Sequence, residues 1–382
     1  MAHVSLSSVP PLATGIGARA ALPELVGAAG SVLLVADGGL KTTGMVDEIV
    51  ALLTKAARTV TTFSEFSSDP TIAQTDAAAE LARKTKADCI VSLGGGSALD
   101  LGKAVATIAG ETESAAAYEL CRKDFPAGRL RSICVPTTSG TGSEATRTSV
   151  LTRADKAKVW LWGEAIKADA IVLDPELTAS LPAHLTAATG IDALVHAVEA
   201  ATNRSASTAN NVYAHAAIKL VADNLQRAVA DGGDLEARDA LQRAATLAGV
   251  AIDNAGTAIA HNIGHAMASL KPIHHGLAVG IAMLKTLPWS VGANPKAFAA
   301  CAAAMGASAS ADGFIAAYER LFHAVGLTSD LGDRFAGVGV DALVRQMEQP
   351  ENAPMLNSNV KPPTRSEMVG FATRILLEKD HP

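Results

Sequence analysis

Four residues in the second half of the chain have side chains suited to holding a divalent metal: Asp192, His196, His261 and His275. The first two lie four residues apart in the segment DALVHAVEA, and the last two bracket the segment HNIGHAMASLKPIHHG. In an apolar, alanine-rich stretch that reads as helix, an i,i+4 pair puts both side chains on one face, and that spacing lets two ligand atoms converge on one ion. Three imidazoles and a carboxylate suit Fe2+ or Zn2+ better than Mg2+ or Ca2+, which prefer oxygen. Taken alone, an Asp/His pair reads more readily as a hydrogen-bonded core pair. The second histidine cluster, and the segments earlier in the chain, turn the balance towards a metal.

Those earlier segments alternate short β-rich runs with helical ones. SVLLVAD (31–37), TVTTF (59–63), DCIVSLGGGS (88–97, running into a glycine turn), RSICVPT (131–137) and AIVLD (170–174) read as strands; GMVDEIVALLTKAA (44–57), PTIAQTDAAAELARKT (70–85) and a run from Ser97 to about Ala109 read as helices. This alternation predicts an α/β domain with a parallel sheet and right-handed crossovers. From Pro175 the segments are helical in pattern and no convincing strand follows. The boundary falls near residue 180, giving domains 1–180 (α/β) and 181–382 (all-α).

Two loops at strand ends invite a nucleotide. LGGGSALDLGKAVA (93–106) follows a strand and opens a helix, with Ser97 placed as N-cap and Asp100 and Lys103 in the first two turns. Glycines there let backbone N–H groups approach an anion, and a helix N-terminus favours negative charge. A lone glycine run is as often a tight turn. PTTSGTGSEAT (136–146), dense in hydroxyls, also follows a strand, and two such loops at strand C-terminal ends make a dinucleotide site. Asp37 ends the first buried strand, where a carboxylate can accept from an adenosine ribose and repel a 2′-phosphate, favouring NAD over NADP; it reads almost as well as a turn residue.

These pieces together resemble the iron-containing (group III) alcohol dehydrogenases of the dehydroquinate-synthase-like fold. The matching motifs are GGGSALDLGKAVA, PTTSGTGSEAT, IVLDPELTASLP, ATGIDALVHAVEA and the H-x3-H-x9-H run at His261, His265 and His275, spread in order from GIGARAALPEL near residue 15 to the C-terminal helices. The resemblance implies an N-terminal NAD(P)-binding domain, a C-terminal helical metal domain and an active site in the cleft between them. By position it makes Asp192, His196, His261 and His275 the metal ligands, and His265 the unligated histidine, serving as proton relay or orienting residue. It matches Asp37 to the ribose-contacting residue, Gly95, Gly96, Ser97 and Asp100 to the pyrophosphate turn with Lys103 beside it, and Thr137, Thr138, Thr141 and Thr146 to the second nucleotide loop. Lys158 aligns with a cofactor-contacting lysine when a one-residue gap is allowed. The departures from the pattern are His274 before the ligand histidine, Asp69 in SSDPT, the segment WLWGEAIKADA with Trp160 and Trp162, and the tail ENAPMLNSNVKPPT.

The implied activity is hydride transfer between an alcohol carbon and nicotinamide, NAD rather than NADP, with Fe2+ (alternatively Zn2+) polarising the substrate oxygen. Within the same fold the alternatives are a maleylacetate-type reductase or semialdehyde (hydroxy acid) dehydrogenase and a phosphate-eliminating synthase. Those want cationic residues for carboxylates or phosphates, and Lys271 is the one close to the ligand motifs. A scaffold or filament subunit that kept the fold would be expected to have lost part of the ligand set. The remaining composition narrows the partners. A chain of 382 residues, 49% hydrophobic and 18% charged with net charge −6, is globular and advertises no basic face for nucleic acid or anionic lipid. Aromatic content of 4% argues against a base-stacking platform. Cys89, Cys121, Cys134 and Cys301 form no CxxC pair, as in reduced cytoplasmic proteins. The N-terminus lacks a signal-peptide pattern, and the apolar stretches are broken by Gly, Pro or charge, so no membrane span is expected. A small-molecule alcohol or aldehyde is the expected partner, together with further copies of the chain as a homodimer or higher homo-oligomer. His184 and His215 read as helix-face or core histidines, and His3, His323 and His381 as surface ones.

Overall fold

A computed structural model describes residues 6–56, 59–66 and 68–378. They divide into two compact units: Ser8–Leu181, and a second that starts at Pro182 and also takes in Ser7. The Ser7 backbone N–H donates to Asn254 Oδ1 at 2.7 Å, so this residue goes with the helical unit and not with the α/β stretch that follows it.

In the first unit the strands are β1 (Leu12–Thr14), β2 (Ser31–Ala36), β3 (Thr59–Phe63), β4 (Cys89–Gly94), β5 (Arg131–Pro136), β6 (Thr148–Thr152), β7 (Lys158–Trp162) and β8 (Ala170–Leu173). The helices are α1 (Leu22–Val26), α2 (Met45–Thr54), α3 (Ile72–Lys84) and α4 (Gly96–Ile108). Six strands form one parallel sheet in the order β1-β8-β5-β4-β2-β3. Every residue of β2, β4 and β8 is buried, because helices cover both faces; that is why these strands read as continuous apolar runs. Along β2, Val32, Leu34 and Ala36 pack with Val91, Leu93, Ile133 and Val135 on one face. Leu33 and Val35 pack with Ile90, Ala78 and Leu101 on the other. The chain runs outward from β2 to β3, then returns to β4 on the far side of β2 and continues to β5. The winding therefore reverses between β2 and β4, and open α/β sheets bind ligands at the strand C-terminal ends at such a point.

Three features depart from the reading of the sequence. β1 has three residues, too few to show a period, and β6 and β7 form a separate antiparallel pair where WLWGEAIKADA stood only as a departure. Ser97 is not the N-cap of α4; Gly95 is, with extended backbone (φ −75, ψ −173), and the helix starts at Gly96. A Cβ on Gly96 would stand 2.7 Å from Thr141 Cγ2, so only glycine starts the helix this close to the second loop. The serine is thereby carried into the first turn, where its Oγ accepts from the Asp69 N–H at 3.0 Å.

Among its described residues the second unit has helices and no strand: α5 (Ala183–Thr202), α6 (Thr208–Ala230), α7 (Leu235–Ala255), α8 (Ile259–Leu270), α9 (His275–Ala293), α10 (Pro295–Ala304), α11 (Ala311–Ala324), α12 (Val340–Met347), α13 (Ala353–Asn357) and α14 (Arg365–Leu377), joined by loops and short 3-10 turns. α5 is the axis of this bundle. Every residue from Thr186 to Thr202 is buried, and α6, α7 and α9 pack around it. A helix that is apolar all round must be enclosed this way. α9 is long and apolar enough to cross a membrane by length and composition, but 56% of that stretch is buried against the other helices and it carries Lys285.

Candidate metal centre and nucleotide loops

Asp192 and His196 project from buried α5, His261 from the first turn of α8, and His275 from the first position of α9. Gly276 brings the last of these in. A Cβ there would lie 2.1 Å from the Ala188 carbonyl oxygen and 3.1 Å from Asp192 Cβ, so its absence lets α9 start directly against α5. The four side chains each offer one donor atom, all within 4.8 Å of one another.

The distances discriminate between a core hydrogen-bond cluster and a metal site. Asp192 Oδ1 stands 3.7 Å from His196 Nδ1, 3.7 Å from His261 Nε2 and 3.6 Å from His275 Nε2. All three are beyond hydrogen-bonding range. Asp192 Oδ1 and His261 Nε2 are buried with no hydrogen-bond partner. A pair of buried polar atoms left so is costly unless something else satisfies them. Donors about 2.0–2.2 Å from a tetrahedral ion lie about 3.3–3.6 Å apart, close to the spacing seen, so the residues fit a transition-metal ion.

The electrostatics agree. Burial alone would push the Asp192 carboxyl up, but the positive charge available on His196, His275 and His261 outweighs it and holds the group well below the usual carboxylate range. Burial alone would lower His261; Glu199 and Asp192 outweigh it and hold its pKa at about 9. The pocket is one in which a positive charge is at home.

Glu199 is the residue touching this cluster that the sequence reading did not single out. It is 2% exposed, on α5. Its Oε2 accepts from His261 Nδ1 at 2.6 Å and from the Ala258 N–H at 2.7 Å, and its Oε1 accepts from the Ala260 N–H at 2.7 Å. The signal was present: Asp192, His196 and Glu199 continue one helix face at i, i+4 and i+7. His265 lies one turn beyond His261 and is half-buried, its ring centroid 5.4 Å from that of His275 and 6.5 Å from that of His261. It stands beside the four-donor set without joining it. His274 is exposed and Lys271 half-buried. His184 and His323 are exposed, and His215 is half-buried on α6 with burial pushing its pKa down. His3 and His381 lie outside the described residues.

In the other unit the nucleotide candidates come together at the switch point. The Asp37 N–H donates to Leu93 O at 3.0 Å and the Thr137 N–H to Gly94 O at 2.9 Å, placing the ends of β2, β4 and β5 side by side. Asp37 caps a short 3-10 turn by accepting from the Gly39 N–H at 2.9 Å. Gly95 and Gly96 abut Thr138 and Thr141.

Lys103 and Asp100 behave differently from the phosphate-turn residues they were matched with. Lys103 is fully buried; its Nζ donates to Ser143 O (2.6 Å), Thr148 O (2.5 Å), Thr146 Oγ1 (3.2 Å) and Thr146 O (3.3 Å). Asp100 accepts from Ser143 Oγ and from the Val150 N–H at 3.1 Å. One helical turn apart, the two residues pin the loop that follows β5, so their charges are spent inside the protein. Burial pushes the Asp100 carboxyl up, against the pull of Lys103. Lys158 is likewise engaged, 2.6 Å from Asp69 Oδ1 and 3.1 Å from Thr152 Oγ1. Trp162 is exposed, with the Arg147 guanidinium 5.0 Å above its ring.

Residues 10–175 match the family model "Iron-containing alcohol dehydrogenase", and residues 186–375 match "Fe-containing alcohol dehydrogenase family, C-terminal". The chain is 35% identical over 297 residues to a choline dehydrogenase of Bacillus subtilis (strain 168), covering 76% of this chain and 74% of that one. Among solved structures, a 1,3-propanediol oxidoreductase superposes with a TM-score of 0.89 at 30% identity, covering 96% of this chain and 98% of the other. A sulfoacetaldehyde reductase from Bifidobacterium kashiwanohense in complex with NAD+ superposes with a TM-score of 0.90 at 26% identity, covering 99% and 100%.

Proposed function

Starting from the premise that this chain belongs to the iron-containing alcohol dehydrogenase family and is an oxidoreductase acting on CH–OH groups, we propose that it interconverts an uncharged alcohol and its aldehyde or ketone with NAD as the hydride carrier and Fe2+ (or Zn2+) as the metal. The observation that carries this reading is the convergence of Asp192, His196, His261 and His275 within 4.8 Å. A divalent ion held there supplies a Lewis acid for the alcohol oxygen, and a bound nicotinamide supplies the hydride acceptor or donor.

The chain's own residues do the rest. Asp192, His196, His261 and His275 hold the ion, and Glu199 orients His261 through its Nδ1. His265, next to His275, moves the substrate proton at an imidazole nitrogen whose usual range suits transfer near neutrality. Gly95, Gly96 and Ser97 offer the N–H groups at the start of α4 to the pyrophosphate, with Thr137, Thr138 and Thr141 on the facing loop. Lys103, Asp100 and Thr146 shape that loop through hydrogen bonds within the protein. Asp37 accepts from the ribose hydroxyls at the end of β2.

Asp37 sets the first test. Asp37→Gly or Asp37→Ser is expected to raise activity with NADP relative to NAD by removing a close repulsion worth about 1–3 kcal/mol. A flat cofactor ratio would leave Asp37 as a turn residue that caps Gly39.

The substrate class follows from what surrounds the ligands. ATGIDALVHAVEAAT and AGTAIAHNIGHAMASL are almost wholly small and apolar. Of the cations nearest the ligand motifs or the tail, Lys361 is already paired with Glu367 at 2.6 Å. An ionised carboxylate would lose its hydration there without a matching cation, at a cost of several kcal/mol. The protein is to be purified anaerobically, its metal measured, and NADH oxidation followed with a panel of aldehydes and ketones. Uncharged members are expected to show higher kcat/KM than carboxylate-, phosphate- or sulfonate-bearing ones of similar size. The structural likeness to a sulfoacetaldehyde reductase makes the sulfonate arm the sharpest. A tenfold preference for a charged aldehyde would overturn the apolar-site reading and point to Lys271 and His274.

A further inference from the structure

We propose that Glu199 is the positioning residue of the metal centre. Its carboxylate fixes the tautomer and direction of His261 and at the same time ties α8, which carries that ligand, to α5, which carries Asp192 and His196. This rests on the reading of those residues as metal ligands, and it assigns a role to a side chain that binds neither ion nor cofactor.

The geometry leaves little choice of proton. A carboxylate only accepts, and Glu199 lies 2.6 Å from His261 Nδ1, so that nitrogen keeps its hydrogen and Nε2 is the one that would give its proton up to an ion. Nε2 is the atom that faces Asp192 Oδ1 at 3.7 Å and has no hydrogen-bond partner of its own. A ring flip or a change of tautomer would turn an N–H into the cluster. The other two bonds of the carboxylate go to the Ala258 and Ala260 N–H groups at the N-terminal end of α8, where helix donors lack partners within the helix. No side chain of the α8 cap residue does this work; the acceptor comes from 59 to 61 residues away. Glu199 itself is held on the helix that is buried along its length. One carboxylate thus fixes both the rotation of the His261 ring and the start of its helix relative to two other ligands. Partners of this kind change metal affinity by about 10–100-fold when lost.

A merely structural cap would lower thermal stability and leave metal affinity alone, so the test measures both. Metal-free wild-type, E199Q and E199A proteins are titrated with Co2+, reading the ligand-field absorption band for affinity and geometry, with circular dichroism for folding and NADH fluorescence as a control. The amide introduced by E199Q is isosteric with the carboxylate but offers one carbonyl oxygen to three N–H donors. Folded E199Q and E199A with Co2+ dissociation constants raised tenfold or more, a shifted band and unchanged NADH binding are expected. Affinity and band within twofold of wild type in folded E199Q would overturn the assignment. Should the variants fail to fold, 15N-histidine NMR of the Zn2+-loaded wild type decides: a His261 Nδ1 proton protected from exchange is expected, and its absence overturns the proposal. Wild-type protein that takes up no stoichiometric Co2+ would instead overturn the metal reading itself and the role of Glu199 with it.

Discussion

His261→Ala and His275→Ala proteins are expected to hold well below one metal ion per chain and to show no measurable turnover, while NADH still binds. Each substitution removes one of four donors that stand within 4.8 Å of one another. His261 has no substitute at hand: His265 lies one turn further along the same helix, its ring centroid 6.5 Å away. The His261 change has a second effect, because it leaves the buried Glu199 carboxylate without its imidazole partner. Losing one partner of a buried charged hydrogen bond costs about 1–3 kcal/mol or more, so His261→Ala is expected to be the less stable of the two. NADH binding is retained because its candidate contacts lie in the stretch before Leu181 and both histidines lie after Pro182. Metal analysis by atomic emission, fluorescence titration with NADH and a thermal melt check the three parts. Full metal content in both variants would sink the ligand assignment.

Gly276→Ala carries the second large effect, although it changes no donor atom. The added methyl would sit 2.1 Å from the Ala188 carbonyl oxygen, which belongs to the backbone of a helix enclosed on all sides. Neither partner can swing aside, so α9 must move as a unit, and His275 at its first position moves with it. Overpacking of a tight core costs about 1–3 kcal/mol, and more where backbone meets backbone; a loss at or above the top of that range is expected here. Metal affinity should fall at least tenfold, since the shift separates His275 Nε2 from Asp192 Oδ1, now 3.6 Å apart. A melting temperature and metal affinity equal to those of the parent would show that the α5–α9 contact yields more readily than this geometry allows.

Much of the fold was legible because the informative elements are those most constrained by burial. β2, β4, β5 and β8 are apolar runs, and their ends could be placed within a residue or two. The candidate ligand set stood out through helical spacing and ligand chemistry, and the structure brings its four donors within 4.8 Å of one another. What escaped depends on partners far away in the chain. The i+7 place of Glu199 could be read from the sequence, but its hydrogen bond to a histidine 62 residues on could not. The glycine turn was correctly read as a turn, yet Ser97 was made its cap because serine is the commoner cap residue; the close approach of Thr141 reserves that position for glycine. Lys103 looked like a phosphate contact because lysine beside a glycine turn usually is one, whereas here its ammonium is surrounded by oxygens of the Ser143–Thr148 segment. The short β1 and the β6–β7 pair carry too little periodicity to announce themselves.

The enclosure of α5 bears on how the ion arrives. Its amides from Thr186 to Thr202 lie within a buried stretch, so they belong to the part of the helical unit that opens last, and their hydrogen exchange should report global rather than local opening. Asp192 and His196 are therefore already in place before any metal is present, in contrast to small zinc domains whose chain orders only around the ion. An ion would meet a finished socket, and the approach is expected to lead past the partly exposed His275, the outermost of the four candidate ligands.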